Sequence, residues 1–303
     1  MAKTIVLPQY KWKLGSHVPI YNTIYDTTII ATELGFGAFQ FFLGSPYSFN
    51  RKNIDKEDIE KTRERIDIFN LKIFSHSPYI HNLSGSVKCA CWDGNTSQDS
   101  KTLSSLKSLQ NELAIMAQLK GGVVIHPGSH PDKNKCIASI IKSINKISFP
   151  ENSLLLLENT AGEGNKMPKT IEDIALILNG ISSKENIGVC IDTAHIHGQG
   201  DYNLSIVSQV DLMFNDIIKQ FGIERVKLIH LNDSEVKLGS KKDRHEVVGK
   251  GEIWGNDKSG LKRLIEYCIK YNIPTIMETT SMDISLLEKI NMEINEENIN
   301  DIL

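Results

Sequence analysis

Short apolar runs that end in one polar residue recur along this chain, separated by stretches of helical period. Residues 123–125 run into His126, 154–157 into Glu158, 189–191 into Asp192, 226–229 into His230 and 274–277 into Glu278. Apolar runs of about four to six residues predict buried strands. The pattern predicts eight of them, at 13–18, 37–43, 72–76, 122–126, 154–159, 187–192, 225–231 and 274–279. Amphipathic helices are expected between them at 55–69, 105–119, 135–147, 170–178, 204–221 and 261–271. Strand–helix alternation implies a parallel sheet. Eight such units close most simply into a single (β/α)8 TIM barrel of the α/β class, whose site forms at the C-terminal face of the strands. No linker divides the chain, so one barrel domain over 13–303 is expected, preceded by an N-terminal extension at 1–12. Two stretches read as long loops: 84–101, rich in Ser, Gly, Asn and Asp, and 236–254, with Gly239, Gly249 and Gly251. Residues after about 288 are polar and acidic and are expected to cap the barrel or fray.

The polar residues that end the runs are metal ligands by type. His76, His126, Glu158, Asp192, His230 and Glu278 are each about one strand–helix unit apart, and a parallel barrel brings them to one rim. His195 follows Asp192 by three, and Asp243 and His245 lie two apart in the loop after the seventh strand. One tetrahedral zinc takes about four protein ligands. Five histidines and four carboxylates are therefore too many for one ion and fit two or three with a bridging carboxylate. Such polynuclear sites serve phosphoester displacement. His17, His81, His130 and His197 are left outside the metal set, as supporting or surface residues.

Composition changes little in this picture. With 303 residues, 23% charged and 40% hydrophobic, the chain is long enough for one large barrel. A net charge of −3 does not advertise nucleic-acid binding, though a local basic groove is compatible with it. Five scattered cysteines argue for a reducing compartment, cytoplasmic or nuclear, without a disulfide framework. Cys89 and Cys91 read as loop thiols and Cys190 as a core residue. No apolar stretch is long enough to span a membrane, and the N-terminus lacks the pattern of a signal peptide. Abundant Ile, Lys and Asn with scarce Arg suggest an AT-rich coding genome, bacterial or viral.

At its rim residues the chain resembles the endonuclease IV family of apurinic/apyrimidinic (AP) endonucleases. The segments that carry the resemblance are LGSHVP from Leu14, HSPYIHNL from His76, HPGSH from His126, ENTAGEG from Glu158, GVCIDTAH from Gly188, HLNDS from His230, GSKKDRH from Gly239, GKGEI from Gly249 and MET from Met277. They cover about residues 13 to 290 in one order. The resemblance implies a barrel with three zinc ions that cleaves duplex DNA 5′ to an abasic site, giving a 3′-hydroxyl and a 5′-deoxyribose phosphate. It also implies removal of 3′-blocking groups. By the same resemblance His76, His126 and Glu158 hold one zinc. Glu158 bridges to a second, completed by Asp192, His230 and Glu278. His195, Asp243 and His245 hold the third. Glu278 and Glu158 are then the catalytic carboxylates, with Glu278 orienting the attacking hydroxide.

The resemblance further implies DNA-binding loops around the rim. Tyr79 and Ile80 match the family's inserting pair, and Arg244 matches a phosphate-contacting position. The family's inserting Arg aligns with Tyr47, which keeps an aromatic wedge but loses a charge. Lys237, Lys241 and Lys242 could add phosphate contacts. The expected partner is double-stranded DNA with an abasic site, acted on by a monomer away from membranes. The competing reading is a sugar isomerase or epimerase of the xylose-isomerase-like barrels, which has no need of the cluster of His195, Asp243 and His245.

Overall fold

Every apolar run forms a strand, and the strands close on one another. In the computed structural model the described residues are 10, 12–85, 100–279 and 284–300, the last five by backbone only. The strands are β1 (Leu14–His17), β2 (Ala38–Phe41), β3 (Lys72–His76), β4 (Gly122–Ile125), β5 (Leu154–Glu158), β6 (Ile187–Asp192), β7 (Val226–His230) and β8 (Thr275–Met277). Each is parallel to its sequence neighbours, and β1 pairs with β8 to complete an eight-stranded barrel. The helices are α1 (Ile24–Glu33), α2 (Lys56–Phe69), α3 (Ser100–Gln118), α4 (Lys133–Ile144), α5 (Ile171–Gly180), α6 (Thr193–Gln199), α7 (Val207–Phe221), α8 (Ser259–Tyr271) and α9 (Ile284–Asn300). The chain is a (β/α)8 TIM barrel, as its periodicity predicts.

Alternation along the strands builds two radial layers. Outward residues such as Phe39, Ile73, Val123, Leu155, Val189 and Ile229 pack beneath the helices in one large core. Inward residues Ala38, Phe74, Val124, Leu156, Cys190, Leu228 and Ile276 form a separate plug inside the barrel. Two residues further along each of these strands, on the same inward face, come Gln40, His76, His126, Glu158, Asp192, His230 and Glu278. A dry layer therefore lies directly beneath a polar one, and the polar layer is the rim.

Local signals fix the helix ends. Thr23, Asp55 and Asp132 accept bonds from the first-turn amides of α1, α2 and α4, and Thr170 with Asp173 forms a capping box on α5. Helix α1 escaped the periodic reading because its segment is rich in β-branched residues, weak helix formers. Its buried Thr27, Thr28 and Thr32 return their hydroxyls to carbonyls three or four residues back, which makes them tolerable in a packed helix. The C-terminal segment forms α9, burying Leu287, Ile290 and Ile294 on one face. At the other end Trp12 is buried and donates its indole N–H to Thr275 Oγ1 at 3.0 Å, tying the extension to β8. Of the extension, residues 1–9 and 11 lie outside the described residues, as do Cys89, Cys91 and Trp92 of the long loop after β3.

Candidate metal centre

The nine side chains singled out in the sequence meet at the rim. Glu158 is their hub: Oε2 lies 3.2 Å from His76 Nε2 and 3.3 Å from His126 Nε2, while Oε1 lies 2.9 Å from His230 Nδ1 and 3.6 Å from His195 Nδ1. His230 Nδ1 is also 3.4 Å from Glu278 Oε2 and 3.8 Å from Asp192 Oδ2. Asp243 Oδ1 joins His195 Nε2 at 3.2 Å to His245 Nε2 at 3.3 Å. Donor atoms within 4.8 Å of one another gather as His76, His126 and Glu158; as Glu158, Asp192, His230 and Glu278; and as Asp192, His195 and His245. Asp192 joins that last group, and Asp243 bridges its two histidines. Cys190 also falls within reach of Glu158 and His230, but burial among carboxylates pushes its thiol far up and keeps it protonated.

The donor set fits metal ions on its hydrogen bonding. His76 Nδ1 bonds to the Ser77 carbonyl at 2.7 Å, His195 Nδ1 to the Asn159 carbonyl at 2.9 Å, and His230 Nε2 to Gln40 Oε1 at 2.9 Å. In the neutral ring each such nitrogen carries the proton, so the other presents a bare lone pair. Those lone pairs face carboxylate oxygens at close range. Two lone pairs repel unless a proton or a cation lies between them. His126 Nδ1, His195 Nε2 and His245 Nε2 are buried without a hydrogen bond in good geometry. Glu158, Asp192, His195 and His230 are at most 1% exposed, where uncompensated carboxylates are costly.

The electrostatics agree. Burial raises Asp192, with His195 and His245 opposing it. Burial also works against ionisation of Glu158, but His126 and His230 overcome it and hold Glu158 well below the ordinary carboxylate range. At Glu278 burial is likewise outweighed, chiefly by His230, and its carboxyl comes down to about 2. At His76, His195, His230 and His245 burial works against the charged ring, but the neighbouring carboxylates outweigh it and raise all four, so in the absence of a cation protons on the rings stand where a bound ion would.

Amides missed in the sequence hold these ligands in place. Gln40 Nε2 donates to Glu278 Oε1 at 2.8 Å, and Asn232 Nδ2 donates to Glu278 Oε2 at 3.0 Å and to Asp192 Oδ2 at 2.7 Å. Glu278 N donates to Asn232 Oδ1 at 3.0 Å, and Asp192 N to Asn159 Oδ1 at 2.7 Å. Their signal was available: Gln40 is next to last in β2, at the register where the histidines stand on other strands, and Asn159 and Asn232 lie one and two residues beyond a ligand. His17 reaches the same neighbourhood, 3.4 Å from Gln40 and with its ring 4.7 Å from that of Phe42, tilted. His81, His130 and His197 are buried away from the ligand groups and are not surface residues.

The loop bearing Asp243 and His245 is fixed by one carboxylate. Asp233 accepts from the amides of Ser234, Gly249, Gly251, Ile253 and Trp254 at 2.8 to 3.3 Å. Gly249 has φ +82, and a Cβ on Gly251 would come within 2.5 Å of Asp233, so the close approach needs glycine at both.

Around the rim opens a cleft of about 580 Å³, lined by Tyr47, Tyr79, Ile80, Lys166, Arg244 and the ligand side chains of His76, His126, His195, Asp243, His245 and Glu278. Tyr47 and Tyr79 are 73% and 51% exposed and meet edge to face at 5.9 Å. They stand at the mouth as a paired aromatic prominence. Arg244 is exposed beside them, and Lys237, Lys241 and Lys242 are exposed on the same loop.

Comparison with known proteins decides what this rim belongs to. The family described as the xylose isomerase-like TIM barrel matches residues 30–258. A probable endonuclease 4 of Oceanobacillus iheyensis is 31% identical over 274 residues, covering 88% of this chain and 87% of the relative. The chain belongs to the endonuclease IV family. The solved endonuclease IV of Thermus thermophilus superposes with a TM-score of 0.76 at 26% identity, covering 95% of this chain and 99% of that one. A D-tagatose 3-epimerase-like protein superposes at 0.62 with 16% identity, which speaks to the shared barrel alone. Family membership agrees with the resemblance carried by the strand-end motifs.

Proposed function

We propose that this chain is a DNA-repair AP endonuclease that hydrolyses the phosphodiester 5′ to an abasic site, with three zinc ions at the rim, and that it also acts as a repair phosphodiesterase on 3′-blocked ends. The observation that carries this reading is the convergence of nine ligand-type side chains, Glu158 at their centre, under an exposed aromatic pair in a chain of the endonuclease IV family. His76, His126 and Glu158 would hold one ion. Glu158, Asp192, His230 and Glu278 would hold the second, and His195, Asp243 and His245 the third. When bound, the ions supply polarisation of the phosphoryl oxygens, acidification of water and stabilisation of the departing 3′ oxygen.

The chain's own residues do the rest. Glu278, held from both sides by Gln40 and Asn232, presents a fixed carboxylate that orients the attacking hydroxide. Burial of the rim floor excludes bulk water and strengthens every charge interaction there. Tyr47, Tyr79 and Ile80 wedge the duplex and stack where the missing base leaves space. Arg244 and the neighbouring lysines contact phosphates and set register.

The lysine-bearing loop makes affinity salt-dependent despite the net charge of −3. The test is metal content together with incision of a duplex carrying one abasic analogue, without added magnesium. Incision by zinc-loaded protein is expected; none by protein shown to hold about three zinc ions overturns the reading. Conversion of a ketose by the same preparation would favour the epimerase-like alternative.

A further inference from the structure

Helix α3 carries a polar stripe where a helix packed on a barrel normally places apolar side chains. Thr102, Ser105, Ser108 and Glu112 follow one another at intervals of three or four, share one face, and are all buried. Three of them hold the two loops that carry the aromatic prominence. Thr102 Oγ1 donates to the Asn82 carbonyl at 3.3 Å, and Ser105 Oγ accepts from Asn82 N at 3.1 Å. Ser108 Oγ donates to the Phe49 carbonyl at 3.0 Å. The two loops are also tied to each other: Tyr79 N donates to the Pro46 carbonyl at 2.9 Å, and the Phe49 ring stacks on His81 at 5.6 Å.

The fourth member of the stripe is a carboxylate with 0% exposure. Both oxygens of Glu112 lack a hydrogen bond in good geometry, and so do Nε and Nη1 of Arg51 and both ring nitrogens of His81. Arg51 comes from the Tyr47 loop and His81 from the Tyr79 loop. The Arg51 charge acts on both Glu112 and His81. None of the three belongs to the metal set. Keeping an incompletely paired carboxylate buried costs stability; burial pushes the Glu112 carboxyl up to about 7, with Ser75 and the Arg51 charge opposing. Arg51 is half-buried, and its Nη2 donates to the Ser45 and Ser48 carbonyls of its own loop.

We propose that Glu112 is a positioning residue for DNA distortion: with Arg51 and His81 it presets the Tyr47 and Tyr79 loops at the spacing that wedges a duplex, and takes no part in phosphoryl chemistry. The proposal rests on the endonuclease reading above. Its test compares the zinc-loaded wild type with Glu112→Gln, Arg51→Met, the pair, and Ser108→Ala. Each is assayed on an abasic-analogue duplex and on bis(p-nitrophenyl) phosphate, a small diester that uses the metal rim but no wedge. Duplex affinity is measured alongside.

Glu112→Gln and Arg51→Met are expected to raise KM and Kd for the duplex about ten-fold each, non-additively in the pair. Their kcat, and their turnover of the small diester, should stay within about two-fold of wild type. Ser108→Ala, which keeps the helix packing, should move KM in the same direction. Equal losses on both substrates, or unchanged duplex KM and Kd in all variants, overturn the positioning role. Absence of duplex incision by the wild type overturns the endonuclease reading alone, and the positioning role is then decided on Kd.

Discussion

Glu278 and Gln40 show how single residues divide the labour at the rim. Glu278 would face the reacting water, so Glu278→Gln should retain fold and duplex binding yet lose incision by roughly two powers of ten or more, read in single-turnover assays. Gln40 touches no reacting atom. Its amide oxygen accepts from His230 and its nitrogen donates to Glu278, so Gln40→Met keeps the volume and removes both restraints. Metal affinity is expected to fall roughly ten- to a hundred-fold, measured by chelator competition; unchanged affinity would deny Gln40 that role. The ligands were legible because a His, Asp or Glu at the end of an apolar run is conspicuous. Gln40 and Asn232 were not, because a neutral amide at a strand end has no chemistry until its neighbours are known.

At the scale of elements, the irregular segments carry the information the strands do not. The loop after β7 has two residues of paired structure on each side, Asp233–Ser234 against His245–Glu246, and is held mainly by the Asp233 carboxylate. An asparagine there can present only one acceptor oxygen. Asp233→Asn should therefore cost on the order of 3 kcal/mol in denaturant unfolding and lower incision, because His245 moves with the loop. A melt indistinguishable from wild type would show that the glycines alone shape the loop. Sequence periodicity located α2, α4, α5, α7 and α8 to within a few residues because their apolar faces are regular. It missed α1, whose threonines satisfy themselves locally, and α6, whose seven residues owe their start to Asp192 accepting from His195 N. The polar stripe of α3 was equally hidden, since buried serines look like solvated ones until the loops above them are placed.

The whole molecule is a barrel whose upper rim gathers buried carboxylates and histidines that, without a cation, must share protons to stay below the surface. Removing bound metal should therefore destabilise the entire domain. A ligand at a hundred times its Kd contributes about 2.7 kcal/mol, and each kcal/mol shifts a large domain's midpoint by about 2–4 °C. Thermal melts after treatment with a strong chelator should show a fall of several degrees, reversed by zinc. An unchanged midpoint would mean that the rim tolerates its own charge. At this scale the sequence was most readable: eight runs alternating with helical stretches leave few ways to close a sheet. The shared barrel, by contrast, says little about chemistry, since an epimerase-like protein superposes on it as well.

The plug of Ala38, Phe74, Val124, Leu156, Cys190, Leu228 and Ile276, none more than 4% exposed, gives the rim a closed apolar floor among the described residues. Under the proposed function, ions, water, duplex and product would share the cleft that Tyr47 and Arg244 line. Traffic through that cleft would then be mutually exclusive: a seated duplex would shield ions at the rim from a chelator, and metal exchange is expected only between turnovers.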